Sequence, residues 1–264
     1  MKTELFLIET LSNLHVGSGE INYGLVDNLI QRDPVTGLPT INSSSLKGAL
    51  REHFEQMYGK KSKEVISIFG SDPKENEAKN RKPGALRFFE ADLLSIAVRT
   101  TGNNLSFVNA SSTTIFEQQL KRLAQFDIKA DFLSRLNNLP QKGNVSIEDI
   151  QSPSSFSETT SDASYIGENL ALVSIDELKV LCDNEHLPVI SRNCLENGQS
   201  TNLFYEQVLP RYSHLTTLVM GEEKQLKSFC EILNGQVVQI GGNATIGYGY
   251  CKFTLCPTTK ITEQ

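Results

Sequence analysis

Residues 3–12, TELFLIETLS, alternate like a strand, yet both faces carry apolar side chains: Leu5 and Leu7 on one, Phe6 and Ile8 on the other. A strand apolar on both sides belongs inside a sheet that is covered on both faces. The rest of the chain must therefore supply flanking strands and packing helices, and its patterns do so at both ends. At the front, residues 43–58 carry Leu46, Leu50, Phe54 and Met57 as one helical stripe. A second helical piece over 62–69 stops at Gly70, and LRFFEADLLSIAVR (86–99) reads as a strand with 105–109 as its partner. At the back, strands over 201–209 and 213–220 precede an amphipathic helix over 222–233, with Leu226, Phe229, Cys230 and Leu233 on one side. Strands over 236–240 and 250–256 follow.

This order, strand–helix–strand at each end, predicts an α+β fold with a ferredoxin-like (RRM-like) βαββαβ core and large insertions. Between the ends, Thr113–Phe126 reads as a helix, and 129–150 gives weaker helical patterning broken at Pro140. Residues 169–175 read as a strand. Two stretches are too polar to bury much: the charged loop 71–84 and the Ser/Thr-rich segment 151–164, a linker or a loop ordered by a partner. No internal repeat is present.

Composition narrows the function classes. With 264 residues the chain can bury a substantial core. No run approaches the roughly 18 apolar residues of a membrane span. The first residues alternate Lys2, Glu4 and Glu9 with apolar positions and offer no small-residue cleavage site, so a signal peptide is not expected and cytoplasmic residence is. The five cysteines form no CxxC pair, which argues against a disulfide framework or a zinc site and for reduced, buried thiols. A formal net charge of −6 counts against nucleic-acid binding unless the basic residues gather on one face.

The stretch 14–51 concentrates the candidate chemistry. Gly17, Gly19 and Gly24 break regular structure, and Asp27 follows, an acid between Val26 and Leu29. A loop Asp can be a solvated turn former. It can also be an acid held to an RNA backbone that orients a 2′-hydroxyl, takes its proton or binds a divalent cation. His15, at the end of the first strand, is either a hydrogen-bonded structural residue or a phosphate contact active in proton transfer. Ser43 is the expected N-cap, and Ser43, Ser44, Ser45 and Lys47 join hydroxyls, free N–H groups and a cation at a helix start, a ready anion site. Gly48 in that first turn suggests close approach to the backbone. No GxxxxGK[ST] spacing precedes it, so nucleotide hydrolysis is not expected. Far along the chain, the loop 241–249 holds four glycines in nine residues. It is a hairpin connection, or a surface of Gly241, Gly242, Thr245 and Gly247 against which a polynucleotide lies, with Tyr248 as a stacking face.

Together the blocks LHVGSG, GLVDNLIQRDPVTGLPTI, SSSLKGALREHF, GALRFFEADLLSIAVRT, LFYEQVLP and IGGNATIGYG resemble the RAMP superfamily of CRISPR proteins. More narrowly they resemble the repeated backbone subunit of the type III-B (Cmr) effector complex, while residues 110–200 match weakly. The resemblance implies a single RAMP domain, its core near 1–110 and 200–258, with an insertion near 111–199 and a protruding thumb hairpin. It implies copies stacked along a guide RNA and target-RNA cleavage with a divalent metal ion (Mg or Mn). Asp27 would be the catalytic and metal-binding acid, and His15 and Glu206 would shape the site. A basic groove would come from Lys47, Arg51 and Arg32. The implied partners are guide RNA, target RNA, further copies and other complex subunits, with no membrane. This chain departs from the pattern at Val208, where relatives carry a second aromatic, and at Asn42, where relatives place Gly. Other readings are a non-catalytic guide-binding scaffold, a type III-A backbone subunit, or a guide-precursor processing enzyme that uses His15; LFYEQVLP argues against the last.

Overall fold

The computed structural model describes residues 1–19, 24–71, 81–101, 104–148, 150, 154–158, 164–196 and 199–261. The first part of the chain forms β1 (Lys2–Thr10), β2 (Thr40–Ile41), α1 (Ser43–Tyr58), α2 (Lys63–Phe69), β3 (Leu86–Phe88), β4 (Ala91–Thr101) and β5 (Phe107–Ser111). The middle holds α3 (Thr113–Ala124), β6 (Ile128–Lys129), α4 (Asp131–Leu136), β7 (Gly143–Ile147), β8 (Ser154–Glu158), β9 (Asn169–Leu172) and α5 (Ile175–Leu181). The last part forms β10 (Val189–Glu196), β11 (Gln199–Gln207), β12 (His214–Gly221), α6 (Glu223–Leu233), β13 (Val237–Gln239), β14 (Tyr250–Leu255) and β15 (Thr259–Lys260). The fold is mixed α and β around one large sheet.

That sheet runs β13–β14–β1–β12–β4–β5–β9–β8–β7, with β2 on β4 and β3 on β12. As its two apolar faces require, β1 is interior, antiparallel to β12 on one side (Phe6↔Thr217) and to β14 on the other (Phe6↔Leu255). Above Phe6 lies an aromatic cluster that joins both amphipathic helices to the sheet. Phe229 of α6 stacks on Phe54 of α1 at 5.4 Å and meets Phe6 edge-on at 6.0 Å. Phe69 of α2 stacks in turn on Phe88 of β3 at 5.3 Å. Leu46, Leu50 and Phe54 are fully buried as the stripe predicts, but Met57 is left 47 % exposed. The helix stops at Gly59, whose positive φ of 87° turns the chain away while its N–H bonds the Glu55 carbonyl.

The middle of the chain departs from the sequence reading. The strand expected over 86–99 is two strands, β3 and β4, each paired to a different part of β12. Residues 143–147 form β7 rather than helix, and residues 154–158 of the expected linker form β8. At its far end β4 also pairs β7 (Thr100↔Ile147), so β4, β5, β9, β8 and β7 close on themselves. Closure removes the open edges that would otherwise expose unpaired backbone groups. It also buries Val145 and Ile147, which is why so few apolar residues suffice there. The helix α5, with a capping box between Ser174 and Glu177, and the strand β10 were not expected. Most of the loop 71–84 lies outside the described residues, as do 151–153 and 159–163.

Cys182, Cys230, Cys251 and Cys256 are buried free thiols, and burial pushes each up to about 12. The side chain of Cys194 lies outside the described residues. His214 is also buried, its Nδ1 3.1 Å from Ser95 Oγ, and burial depresses it to about 3, so it serves as a neutral core residue. No helix among the described residues is long and apolar enough to cross a membrane.

Candidate functional site

The segment around Asp27 is threaded between two parts of the chain. Gly17 bridges Ile30, and the Gln31 N–H donates to the Val16 carbonyl at 2.8 Å. On the other side Asn28 makes a parallel bridge to Glu206 of β11: its N–H donates to the Tyr205 carbonyl (3.1 Å), and its carbonyl accepts from Gln207 N–H (2.9 Å). Asp27 is exposed, and its Oδ2 accepts the Tyr205 N–H at 2.8 Å. Its second oxygen has no partner among the described residues. A carboxylate fixed through one oxygen by a backbone donor, with the other facing out, is an acid held ready for a ligand.

Gln31 joins this segment to α1. The buried side chain donates to the Gly17 carbonyl (3.2 Å) and Ser45 Oγ (3.0 Å) and accepts the Asn42 N–H (2.8 Å). The N-cap is therefore Asn42, not Ser43, and a side chain eleven residues upstream caps its backbone. Replacing Gln31 with Ala removes the partner of the part-buried Asn42 N–H and Gly17 carbonyl, which should cost about 1 kcal/mol. A shift of the urea midpoint measures it; an unchanged midpoint would mean water replaces the amide.

His15 is buried, with Nδ1 2.7 Å from the Gln207 carbonyl. A carbonyl only accepts, so the proton is assigned to Nδ1. Its own carbonyl accepts from Gly242 N–H (2.9 Å), and a Cβ on Gly241 would lie 2.2 Å from that oxygen. The glycine loop is thus needed to approach the His15 backbone. As read, it connects β13 to β14.

Glu206 is 5 % exposed. One carboxylate oxygen takes donors from Arg192 and Asn243, both at 2.8 Å, while the other lies 3.4 Å from Asn28 Nδ2. With its charge paired and its oxygens engaged, Glu206 ties β10, β11, the Asp27 segment and the glycine loop together. Arg192 and Asn243 complete this junction and escaped the sequence reading, as did Gln31. A clue lay in Asn243, which adopts φ 66°, a conformation Asn tolerates better than most residues. Val208 is fully buried, so the missing aromatic falls in the core.

The basic residues fare unevenly. Ser43 and Ser44 are exposed at the start of α1, and Lys47 is half-buried. Burial, with the nearby Arg51 guanidinium, holds the Lys47 ammonium below its usual range. Arg51 pairs with Glu55 at 2.7 Å and donates to the Gly70 carbonyl. Arg32 donates to the carbonyls of Cys182 (2.6 Å) and Gly37 (2.9 Å) and to Asn184 Oδ1 (3.2 Å). Both guanidinium groups thus spend donors on backbone carbonyls, and Arg51 also pairs with a carboxylate. Gly48 faces open space, with nothing within 4 Å of a built Cβ. Thr245 and Gly247 are exposed and Tyr248 is half-buried. Among the described residues no group of three or more His, Cys, Asp or Glu could cage a metal ion.

The site thus joins an acid anchored to a strand, a serine-rich helix start tied to it through Gln31, and a glycine loop, on a sheet with helices packed on it. The RAMP superfamily profile matches residues 7–252, and the chain belongs to that superfamily. Among its relatives, the CRISPR system Cmr endoribonuclease Cmr4 of Pyrococcus furiosus is 25% identical over 98% of each chain. The CMR subunit Cmr4 of Saccharolobus solfataricus is 34% identical over 37% of this chain and 30% of its own. Of solved structures, a type III-B Cmr-beta apo-state chain superposes with TM-score 0.75 at 22% identity, covering 96% of this chain and 97% of its own. The oligomeric Cmr4 crystal structure from Pyrococcus furiosus gives TM-score 0.68 at 20% identity over 99% and 100%.

Proposed function

We propose that this chain is the repeated backbone subunit of a type III-B CRISPR effector complex, binding guide RNA and cutting complementary target RNA at regular intervals. The observation that carries the reading is the end-to-end likeness to an endoribonuclease, Cmr4, over 98% of both chains. The strand order β14–β1–β12–β4, with α1 and α6 as the connecting helices, supports a ferredoxin-like core inside a single RAMP domain. The ribbon β10–β11, a two-stranded sheet of its own, is the candidate for the thumb. Cytoplasmic residence accords with this role.

RNA carries its own nucleophile, the 2′-hydroxyl, and cutting it requires that oxygen in line with the departing 5′-oxygen. Positioning of this kind supplies about 7–11 kcal/mol in favourable cases, so one well-placed acid suffices. Asp27 accepts the 2′-hydroxyl hydrogen through the oxygen that Tyr205 leaves unused. The serine-rich start of α1 and Lys47 hold the guide backbone, and Gly241, Gly242, Thr245, Gly247 and Tyr248 border the strand. His15 and Glu206 act behind this surface as positioning residues. The donor set fits a Mg-type ion, which is held by one or two carboxylates plus substrate phosphates, rather than an all-protein cage. Asp27 would be its protein ligand, and the ion would supply charge neutralisation at the phosphate.

The test is reconstitution with the companion subunits, a guide RNA and an end-labelled complementary RNA. Evenly spaced products that vanish with a non-complementary RNA are expected. An uncut target in a complete complex would leave the scaffold reading.

A further inference from the structure

A cleft of about 780 Å³, with neither Asp27 nor its partner Tyr205 in its lining, lies between β4–β5 and the turn that joins β11 to β12. Its volume is that of a ligand site. At its mouth Phe107 and Tyr212 stack at 5.3 Å with their planes 13° apart, and they remain 40 % and 38 % exposed. The fold holds them in that pose. Tyr212 sits at φ 68°, its N–H donating to the Thr10 carbonyl and its carbonyl accepting from Asn109 Nδ2 at 2.6 Å. Asn109 is buried on β5, two residues from Phe107, so one amide links both ring-bearing segments.

The charge at the mouth is basic in a chain that is acidic overall. Arg211 lies over the Tyr212 ring at 5.2 Å and has no carboxylate partner among the described residues. Arg99, 82 % exposed at its side chain, is 3.5 Å from Glu148, the one carboxylate among the lining residues. Two guanidinium groups therefore face one carboxylate beside a preformed aromatic stack. A planar base with a phosphate attached matches rings and cations together, because every base has a face to stack and every phosphate takes a guanidinium. An apolar peptide segment would use the rings and leave the arginines without a role.

We propose that this cleft holds an unpaired nucleotide of an RNA strand, its base stacked on Phe107 and its phosphate against Arg99 and Arg211. The proposal rests on the RNA-binding reading above and adds a second contact, made by residues that the Asp27 site does not use. Single-stranded RNA with 4-thiouridine at one unpaired position, placed in the guide in one preparation and in the target in another, is crosslinked to the assembled complex and the modified peptides are mapped. Crosslinks to 99–107 or 211–212 are expected from one of the two strands. In oligo(U) titrations Phe107→Leu should weaken binding about 5- to 100-fold. Phe107→Trp should retain it, and an Arg99→Ala/Arg211→Ala double variant should flatten the salt dependence. Thermal melts of each variant separate lost binding from lost folding. If Lys47→Ala weakens RNA binding while Phe107→Leu does not, the cleft proposal falls and RNA binding through α1 stands. If Phe107→Leu changes the size of the assembly with RNA affinity unchanged, the cleft seats protein and the proposal is overturned. If the wild-type complex binds no RNA, both readings fall together.

Discussion

Replacing Asp27 with Asn should abolish target cutting by the assembled complex while leaving guide binding within about twofold. Asn can still accept the Tyr205 N–H with its amide oxygen, so the 2.8 Å tether that sets the loop survives. What is lost is the negative charge that accepts the 2′-hydroxyl hydrogen. General-base contributions of this type are worth about 10²–10⁴-fold in rate, and single-turnover cleavage at saturating target should fall by that much. Asp27→Ala removes the tether as well. Its segment keeps the backbone bonds of Asn28 to Tyr205 and Gln207, so the fold should hold and the melting temperature should change little. Unchanged cleavage by Asp27→Asn would exclude this residue as the acid. Wild-type guide binding beside lost cleavage would separate it from the scaffold reading, in which neither measurement moves.

The two ends of the chain were legible because their signals are local. The helix read to follow a Ser43 cap to about Tyr58 is Ser43–Tyr58, one residue longer at its start, and the helix read over 222–233 is Glu223–Leu233. Each carries an apolar stripe long enough to declare its period within the segment itself. The doubly apolar β1 forced an interior place, and it has one. The middle was not legible, because β7 and β8 are short, polar strands whose stability comes from distant partners. Val145 and Ile147 are two apolar residues in a strand of five, and only the return of β7 onto β4 makes them core. Serine-rich composition was read as a linker at 154–158, where a closed ring of strands overrides local preference.

The site divides along the same line. Asp27 stood out as an acid between apolar neighbours, and the glycine loop stood out by composition. The partners that fix them did not, because Tyr205 is 178 residues from Asp27 and Asn243 is 37 from Glu206. A long-range polar junction leaves no periodic trace in a sequence. The internal partners of Arg32 and Arg51 were equally hidden: Cys182 and Asn184 lie about 150 residues from Arg32, and Gly70 lies 19 from Arg51.

Gly249→Val should be among the most damaging single changes in the chain, and its comparison with Gly247→Ala shows why. Both glycines have positive φ, 76° and 86°. An L-residue pays about 1–2 kcal/mol in that region, and Gly247 should cost little beyond this, since nothing lies within 4 Å of its built Cβ. At Gly249 the Cβ would stand 1.9 Å from the Ile240 carbonyl oxygen, and backbone cannot move aside as a flexible side chain does. The neck must open, losing the Ile240 N–H to Gly249 carbonyl bond (2.8 Å) and straining the Gly249 N–H to Asn13 carbonyl bond (2.9 Å). Each such bond is worth about 1 kcal/mol, so the total should reach roughly 3–4 kcal/mol. Asn243 lies inside this neck and holds Glu206, so an open neck also releases the clamp that sets β11 against Asp27. Urea unfolding and cleavage should therefore fall together for Gly249→Val, whereas Gly247→Ala should lose a little stability and keep its cutting. Equal losses at the two positions would mean that conformational strain, rather than the close approach at Ile240, governs the loop, and the clamp would then have no part in positioning the acid.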